Sequence, residues 1–418
     1  MTTLSKLSPS PLSPTRSEPA SRPATPAAPA TPAAPATPAA PAAPAARNVV
    51  ARPGDGFDTR PSTFVDRPKG LRPSGTPEAP PSAPSVQSLL GTPTAAPTRP
   101  TTPSESRPKP TGVPVIAVFD GGVDASHPDL DDAMWTNPGE IAGDGIDNDG
   151  NGIEDDIHGF NVGFNSGDLL KGEGADHGTH VAGIIAAEDN GLGNTGVAAG
   201  KAQILSVGGI YDGKDLLTNF ERGVDYVVDM KNKGANIRAV NASFGDEYRD
   251  AASQKRWKAA VQKLADADIL LVAATANGNG SNMNNVQDFP ANLDLPNVLT
   301  VASMDKRNDK LARYSSHGDK VVEMAAVGED VLSTVPGGDW EKMSGTSMAT
   351  PRVAATAALM FAENPDLTAA QVRDMLVNTV EKDPDLVGKV STGGKLDIEA
   401  AVAAARASVQ ANAFVAQG

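Results

Sequence analysis

The sequence predicts an α/β fold with a parallel sheet covered by helices on both faces. Three observations point there. Short apolar runs alternate with segments of helical period, the pattern of parallel strands joined through crossover helices. The runs are apolar at nearly every position, as strands buried on both faces must be. The apolar material is also concentrated: of 17 aromatic residues, only Phe57 and Phe64 precede position 110. Roughly 308 residues, the size of one large α/β domain, are left to carry the core.

The first run, Val113-Pro-Val-Ile-Ala-Val-Phe119, ends at Asp120-Gly121-Gly122 and reads as a buried strand feeding a turn. Residues 178–188, with Val181, Ala182, Ile184 and Ile185, read as a buried helix. A second strand is predicted over 202–207, a helix over 217–231, a third strand over 237–243 and an amphipathic helix over 251–267. Apolar runs at 269–274 and 298–302 continue the sheet. A mostly apolar helix is predicted over 346–362, stopped by Asn364-Pro365, with later helices over 367–380 and 398–407. In such sheets ligands gather outside the carboxyl ends of the strands.

Residues 1–110 hold 26 of the 35 prolines. Ala-Thr-Pro and Ala-Ala-Pro repeat at a three-residue period over 24–46, the composition of a polyproline II spacer. So little apolar surface cannot offset the entropy of ordering. The expected organisation is a disordered Pro/Ala/Thr-rich tail over 1–110, one α/β domain over 111–408 and a C-terminal tail over 409–418.

Charge divides the chain in the same place. Residues 1–112 carry 12 Lys/Arg against 6 Asp/Glu, whereas the rest carries 24 against 45, a net of −21. An acidic domain repels nucleic acid and anionic lipid and suits cationic substrates or bound Ca²⁺. No apolar run reaches the ~18 residues of a membrane-spanning helix. Cysteine is absent, which excludes disulfides, thiolate metal sites and thiol nucleophiles. Met1–Ala20 lacks the apolar centre of a Sec signal, so the chain is expected inside the cell or exported by a non-Sec route.

Three element ends carry the chemistry. Asp120 sits where the first strand stops, His177 opens a helix in Asp176-His-Gly-Thr-His180, and Ser347 lies just inside another helix start in Gly345-Thr-Ser-Met-Ala-Thr-Pro351. A serine hydroxyl is a poor nucleophile alone; it needs a base for its proton and a group to orient that base. Each residue also has a plainer reading: a turn carboxylate, one histidine among five, a helix cap.

Taken together, Val118–Leu130, His177–Gly183 and Gly345–Pro351 resemble the motifs of the subtilisin-like serine proteases, the subtilases, in the family's order of Asp, His and Ser. The resemblance runs from about Val113 to Ala407. It implies a three-layer subtilisin-like peptidase domain, with Ser347 as nucleophile, His177 as base then acid, Asp120 as orienting carboxylate and His180 as a structural histidine. Ala274-Thr275-Ala276-Asn277 stands where the family has Ala-Ala-Gly-Asn, so Asn277 resembles the oxyanion donor, with Asn279 offering a shifted alternative. Ala276 in place of Gly implies a shallower first pocket for small or medium side chains. Ser243-Phe244-Gly245 resembles the family's substrate-pairing strand. The function implied is calcium-stabilised endoproteolysis of a protein or peptide substrate by a monomer, without nucleic-acid or membrane partners. An esterase or peptide ligase using the same acyl-enzyme, or a silent peptide-binding module, remain as alternatives.

Two oxygen-rich loops are candidates for Ca²⁺. By the resemblance, Asp129 and the Asn190 side chain would join carbonyls of Glu188, Leu192 and Asn194 in one site. Asp147, Asp149 and Asn151 match the front of an EF-hand loop, with Asp155 beside them, but His158 holds the twelfth position.

Overall fold

Strand β1 (Val115–Phe119) sends Ile116 and Val118 into one core and Val115, Ala117 and Phe119 into another. A strand in the middle of a sheet with two covered faces has no polar side, which is why the run is apolar throughout. The computed structural model describes residues 112–415, so the tail expected over 1–110 lies outside the described residues.

After β1 the chain forms β2 (Gly159–Asn161), α1 (Ala175–Ala186), β3 (Gln203–Gly208), α2 (Leu216–Asn232), β4 (Ile237–Ala242), β5 (Asp246–Glu247), α3 (Ala251–Asp266) and β6 (Leu270–Ala274). Then come β7 (Asp288–Phe289), β8 (Val298–Met304), β9 (Met324–Val327), the hairpin β10 (Val331–Val335) and β11 (Asp339–Met343), α4 (Thr346–Glu363), α5 (Ala369–Asn378), β12 (Glu381–Lys382), β13 (Gly394–Lys395) and α6 (Ile398–Val415). Among the described residues the central sheet has nine strands in the order β12-β13-β9-β8-β6-β4-β1-β3-β2. All neighbours are parallel except β12 and β13 at one edge.

Helices α1, α4, α5 and α6 bury their apolar faces in the first core, and α2 and α3 in the second. The result is the three-layer α/β/α arrangement expected. Helix α4 is almost wholly enclosed, and Ala349, Ala354, Ala355, Ala357 and Ala358 keep its surface thin enough to lie close on the sheet.

Element ends follow local chemistry. Helix α5 starts at Ala369 rather than at Leu367, because Thr368 takes the cap, accepting from Gln371 N while the Gln371 side chain accepts from Thr368 N. Helix α1 starts at Ala175, three residues before the predicted start, which puts His177 in its first turn. Helix α6 continues to Val415, past the expected boundary at Ser408.

Strand order reverses at β1. The chain lays β3 on one side of it and β4 on the other. A crevice opens at the carboxyl end of such a switch point, and Asp120 is the first residue beyond it.

Candidate active site

Asp120 is fully buried, and its Oδ1 accepts from the Gly121 amide at 2.8 Å. Both of its carboxylate oxygens lie 2.9 Å from His177 Nδ1. Gly121 makes this closeness possible: a methyl there would land 2.5 Å from Gly174 Cα, in the segment leading into α1. His177 is only 7% exposed. Burial disfavours its charged form, but the Asp120 charge and hydrogen bond, with a contribution from Asp176, outweigh it and raise the ring's pKa above 6.5. His180, one turn on, is pushed down to about 4 by burial; its Nε2 faces the carbonyls of Val331 and Glu341 at 3.0 Å each and so carries the proton. It ties the β10–β11 hairpin to α1.

Ser347 lies in the first turn of α4, 9% exposed. Its Oγ donates to the Ser243 carbonyl at 3.1 Å, and its own carbonyl accepts from Ser243 Oγ at 2.9 Å. That carbonyl is free because its usual helical partner, four residues on, is Pro351, which has no N–H. Ser243 follows β4, whose Ala242 pairs with Phe119 of β1. Ser243 and Asp120 are therefore level on neighbouring strands, about 5 Å apart, and the serine and the Asp–His pair share one edge of the sheet.

Asn277 Oδ1 accepts from Thr346 N at 3.0 Å and lies 3.2 Å from Thr346 Oγ1, which fixes the amide. Its Nδ2 and the Ser347 N then border one small space: a methyl built on Gly345 would lie 3.6 Å from each. Two N–H groups facing one gap suit an oxyanion. Asn279 is instead an exposed turn residue at φ +53°.

Ser243, Phe244 and Gly245 prolong β4, and Ala274, Thr275 and Ala276 close and prolong β6 beside it. The two stretches flank Ser347. Phe244 stacks edge-on against Tyr211. The Ala276 methyl packs on the small cluster containing Ala273, Met283 and Ala302, so it helps to build the wall of the crevice.

The first calcium candidate forms one unit with the hairpin. Asp129 is fully buried; its Oδ2 accepts from Trp340 Nε1 at 2.9 Å, while its Oδ1 has no donor among the described residues. Glu188 N donates to Asp129 O, and the Asn190 amide spans from Pro128 O to Leu192 N. Asn194 Oδ1 is likewise enclosed without a donor. Enclosed oxygens of mixed type are the donor set a hard cation takes.

In the second loop, Asp147 and Asp149 come together with Glu140, their carboxylate oxygens within 4.8 Å of one another. Glu140 was not singled out from the sequence because it lies seven residues ahead of the motif. Backbone amides of the loop hold all of these side chains: Asn151 Oδ1 accepts from Ile153 N, the Asp155 oxygens from Gly143 N and Gly145 N, and the Asp147 oxygens from Asn151 N and Gly152 N. Below them, burial raises Asp156 to about 6 despite donors from Tyr226, Asn151 and Asn137. Another residue missed in the sequence is Asp288, whose carboxylate packs against Gly245.

The subtilase family model matches residues 112–399. Subtilisin-like protease 1 of Plasmodium berghei (strain Anka) is 35% identical over 307 residues, which is 69% of this chain and 49% of that protein. A subtilisin of Bacillus pumilus is 31% identical over 268 residues, 63% of this chain and 82% of the relative. Among solved structures, a protease from Pseudoalteromonas arctica superposes with a TM-score of 0.53 at 27% identity, covering 71% of this chain and 91% of that one. The chain spans about half the length of the Plasmodium relatives it matches. On the family match and these relatives, the chain belongs to the subtilase family.

Proposed function

We propose that this subtilase is a serine endopeptidase working through an acyl-enzyme on Ser347. The single observation that carries the reading is the buried Asp120–His177 pair at the same sheet edge as Ser347. With Nδ1–H given to Asp120, His177 Nε2 is the basic nitrogen. Ser347 Oγ leaves the Ser243 carbonyl, yields its proton to Nε2 and bonds to the scissile carbonyl carbon. The carbonyl electrons move to oxygen, where Ser347 N and Asn277 Nδ2 donate. His177 then protonates the leaving amine, and water repeats the sequence to free the acid. The substrate would lie extended along Ser243–Gly245, pairing by backbone hydrogen bonds.

Calcium belongs to the same proposal. Asp129, Asn190 and the carbonyls of Glu188, Leu192 and Asn194 would hold one ion, and Asp147 and Asp149 with Glu140 a second. The enclosed Asp129 Oδ1, with no donor among the described residues, supports the first site; three clustered carboxylates, against which Lys233 sets one cation 3.2 Å from Asp149 Oδ2, support the second. Both ions would be structural.

The test is Ser347→Ala in the full chain. Cleavage of a casein-like substrate and labelling by a fluorophosphonate are expected to vanish, with circular dichroism unchanged. Cleavage near wild-type level in the purified variant would sink the assignment.

A further inference from the structure

We infer that the pocket beside Ser347 selects a cationic side chain, lysine or arginine, on the acyl side of the scissile bond, with Asp288 as its counter-charge. The inference rests on the protease reading and adds the substrate class, in place of the small or medium side chains that Ala276 implied from the sequence; the Ala276 methyl packs on the Ala273 and Met283 cluster.

The observation is the contact between Asp288 and Gly245. Strands β4 and β6 are neighbours in register, Asn241 with Val272 and Ala242 with Ala273. Their continuations, Ser243–Gly245 and Ala274–Ala276, therefore leave the sheet side by side and bound a slot next to Ser347. Past Gly245 the chain enters β5, and β7 pairs with it antiparallel, Glu247 opposite Asp288 and Asp246 opposite Phe289. This pairing swings Asp288 back over the slot. A methyl on Gly245 would come within 3.0 Å of Asp288 Cγ. The carboxylate thus rests on the bare Cα of the residue that a substrate backbone would pair with. Asp288 is only 4% exposed, so its charge faces little water.

The reach fits. Gly245 is two residues, about 7 Å of extended chain, from the Ser243 carbonyl that Ser347 Oγ touches. A lysine or arginine stem covers roughly 6–7 Å beyond its own Cα. A residue acylating Ser347 could therefore set its cation beside Asp288. Discrimination would come from both directions. A cation gains a charge-assisted partner in a poorly solvated place, whereas a neutral side chain entering the slot brings the carboxylate no counter-charge. The wider field has the same sign: residues beyond 112 carry a net charge of −21, which draws basic peptides in.

The test uses the full chain and a set of fluorogenic peptides alike except at the residue before the scissile bond: Arg, Lys, Leu, Phe, Ala and Glu. The wild type should prefer Arg and Lys over Leu by at least tenfold in kcat/KM. In Asp288→Asn the Arg-to-Leu ratio should fall at least tenfold, and in Asp288→Lys the Glu peptide should overtake the Arg peptide. Fluorophosphonate titration gives the active fraction of each variant and corrects for any loss of folding. A wild type that prefers Leu or Phe overturns the inference while leaving the protease reading intact. So does an Asp288→Asn that slows all peptides equally, since that is what a structural role does. A wild type that neither labels nor cleaves any peptide overturns the protease reading, and the inference falls with it.

Discussion

Ser243 and Ser347 hold each other by two hydrogen bonds of opposite sense, Ser347 Oγ to the Ser243 carbonyl and Ser243 Oγ to the Ser347 carbonyl. The second bond exists because Pro351 leaves the Ser347 carbonyl without its helical donor. The segment that prolongs β4 and the helix that carries Ser347 are thereby locked in register.

Ser243→Ala keeps the backbone acceptor but removes the donor to a buried carbonyl. An unsatisfied buried group costs about 1–3 kcal/mol. The variant should melt lower than wild type, by about 2–4 °C per kcal/mol for a domain this large. Thermal unfolding followed by circular dichroism checks it, and an unchanged Tm would mean that another donor takes the carbonyl.

The Asp120–His177 pair sets the pH response. His177 works as a base only when neutral, and Asp120 raises its pKa above 6.5. Activity should therefore be lost as pH falls through that raised value, with the acid limb of kcat/KM centred above 6.5. Asp120→Asn removes the charge that raises the pKa, so the limb should move to lower pH. The amide can also hold the ring in the wrong tautomer, with a loss of about 10⁴ in kcat. A profile unchanged in shape would separate Asp120 from the base.

Asn277→Ala removes one of the two donors bordering the space over Gly345. The expected loss is about 10²–10³ in kcat, the size found for one such donor within this family, with KM little changed. Asn279→Ala should have no comparable effect, since Asn279 is an exposed turn residue. Steady-state kinetics on both variants decides between them.

What was legible in the sequence was whatever depends on short-range pattern. Strand β1, helix α2 and helix α4 lie within two residues of their predicted limits, because uninterrupted apolar runs and helical spacing state burial directly. Strand β2 was invisible: three residues in a Gly- and Asp-rich stretch owe their place in the sheet to pairing with β3. Met324–Val327 was missed because Met-Ala-Ala-Val has no strand signal apart from its neighbours. The motif residues around Ser347 were read from their local surroundings. Glu140 and Asp288 were not, since each reaches its cluster through a loop whose course only the folded chain reveals. Asn151 and Asp155 matched a ligand pattern in the sequence, and their oxygens accept local backbone amides, as those of Asp147 also do.

Residues 1–110 precede Asp120, His177, Asn277 and Ser347 in the sequence and hold only two of the 17 aromatic residues. We propose that they are a linker or tail. A chain beginning at Arg107 should cleave peptides with a kcat/KM close to that of the full chain. A soluble but inactive product would give the tail a part in folding or in the site.

Calcium should control the stability of this domain, and Trp340 should report it. Its indole N–H donates to Asp129 Oδ2, the partner of the donorless Oδ1, and a methyl on Gly193 would run into the same ring, so the ring lies against both halves of the first loop site. A cation bound only by the native state stabilises it by about 2.7 kcal/mol at a hundredfold excess over Kd, a large share of the ~5–15 kcal/mol a domain usually has. Wild-type protein moved from EDTA to millimolar Ca²⁺ should gain in Tm and change in tryptophan emission. Trp340→Phe should keep most of the gain in Tm and lose the emission change, because Trp135 and Trp257 are packed in the other core. Asp129→Ala should lose both. If a gain in Tm survives Asp129→Ala but disappears in Asp147→Ala with Asp149→Ala, the control lies in the Glu140 cluster instead. Equal melting in both buffers would exclude calcium from either loop as a stabilising ion.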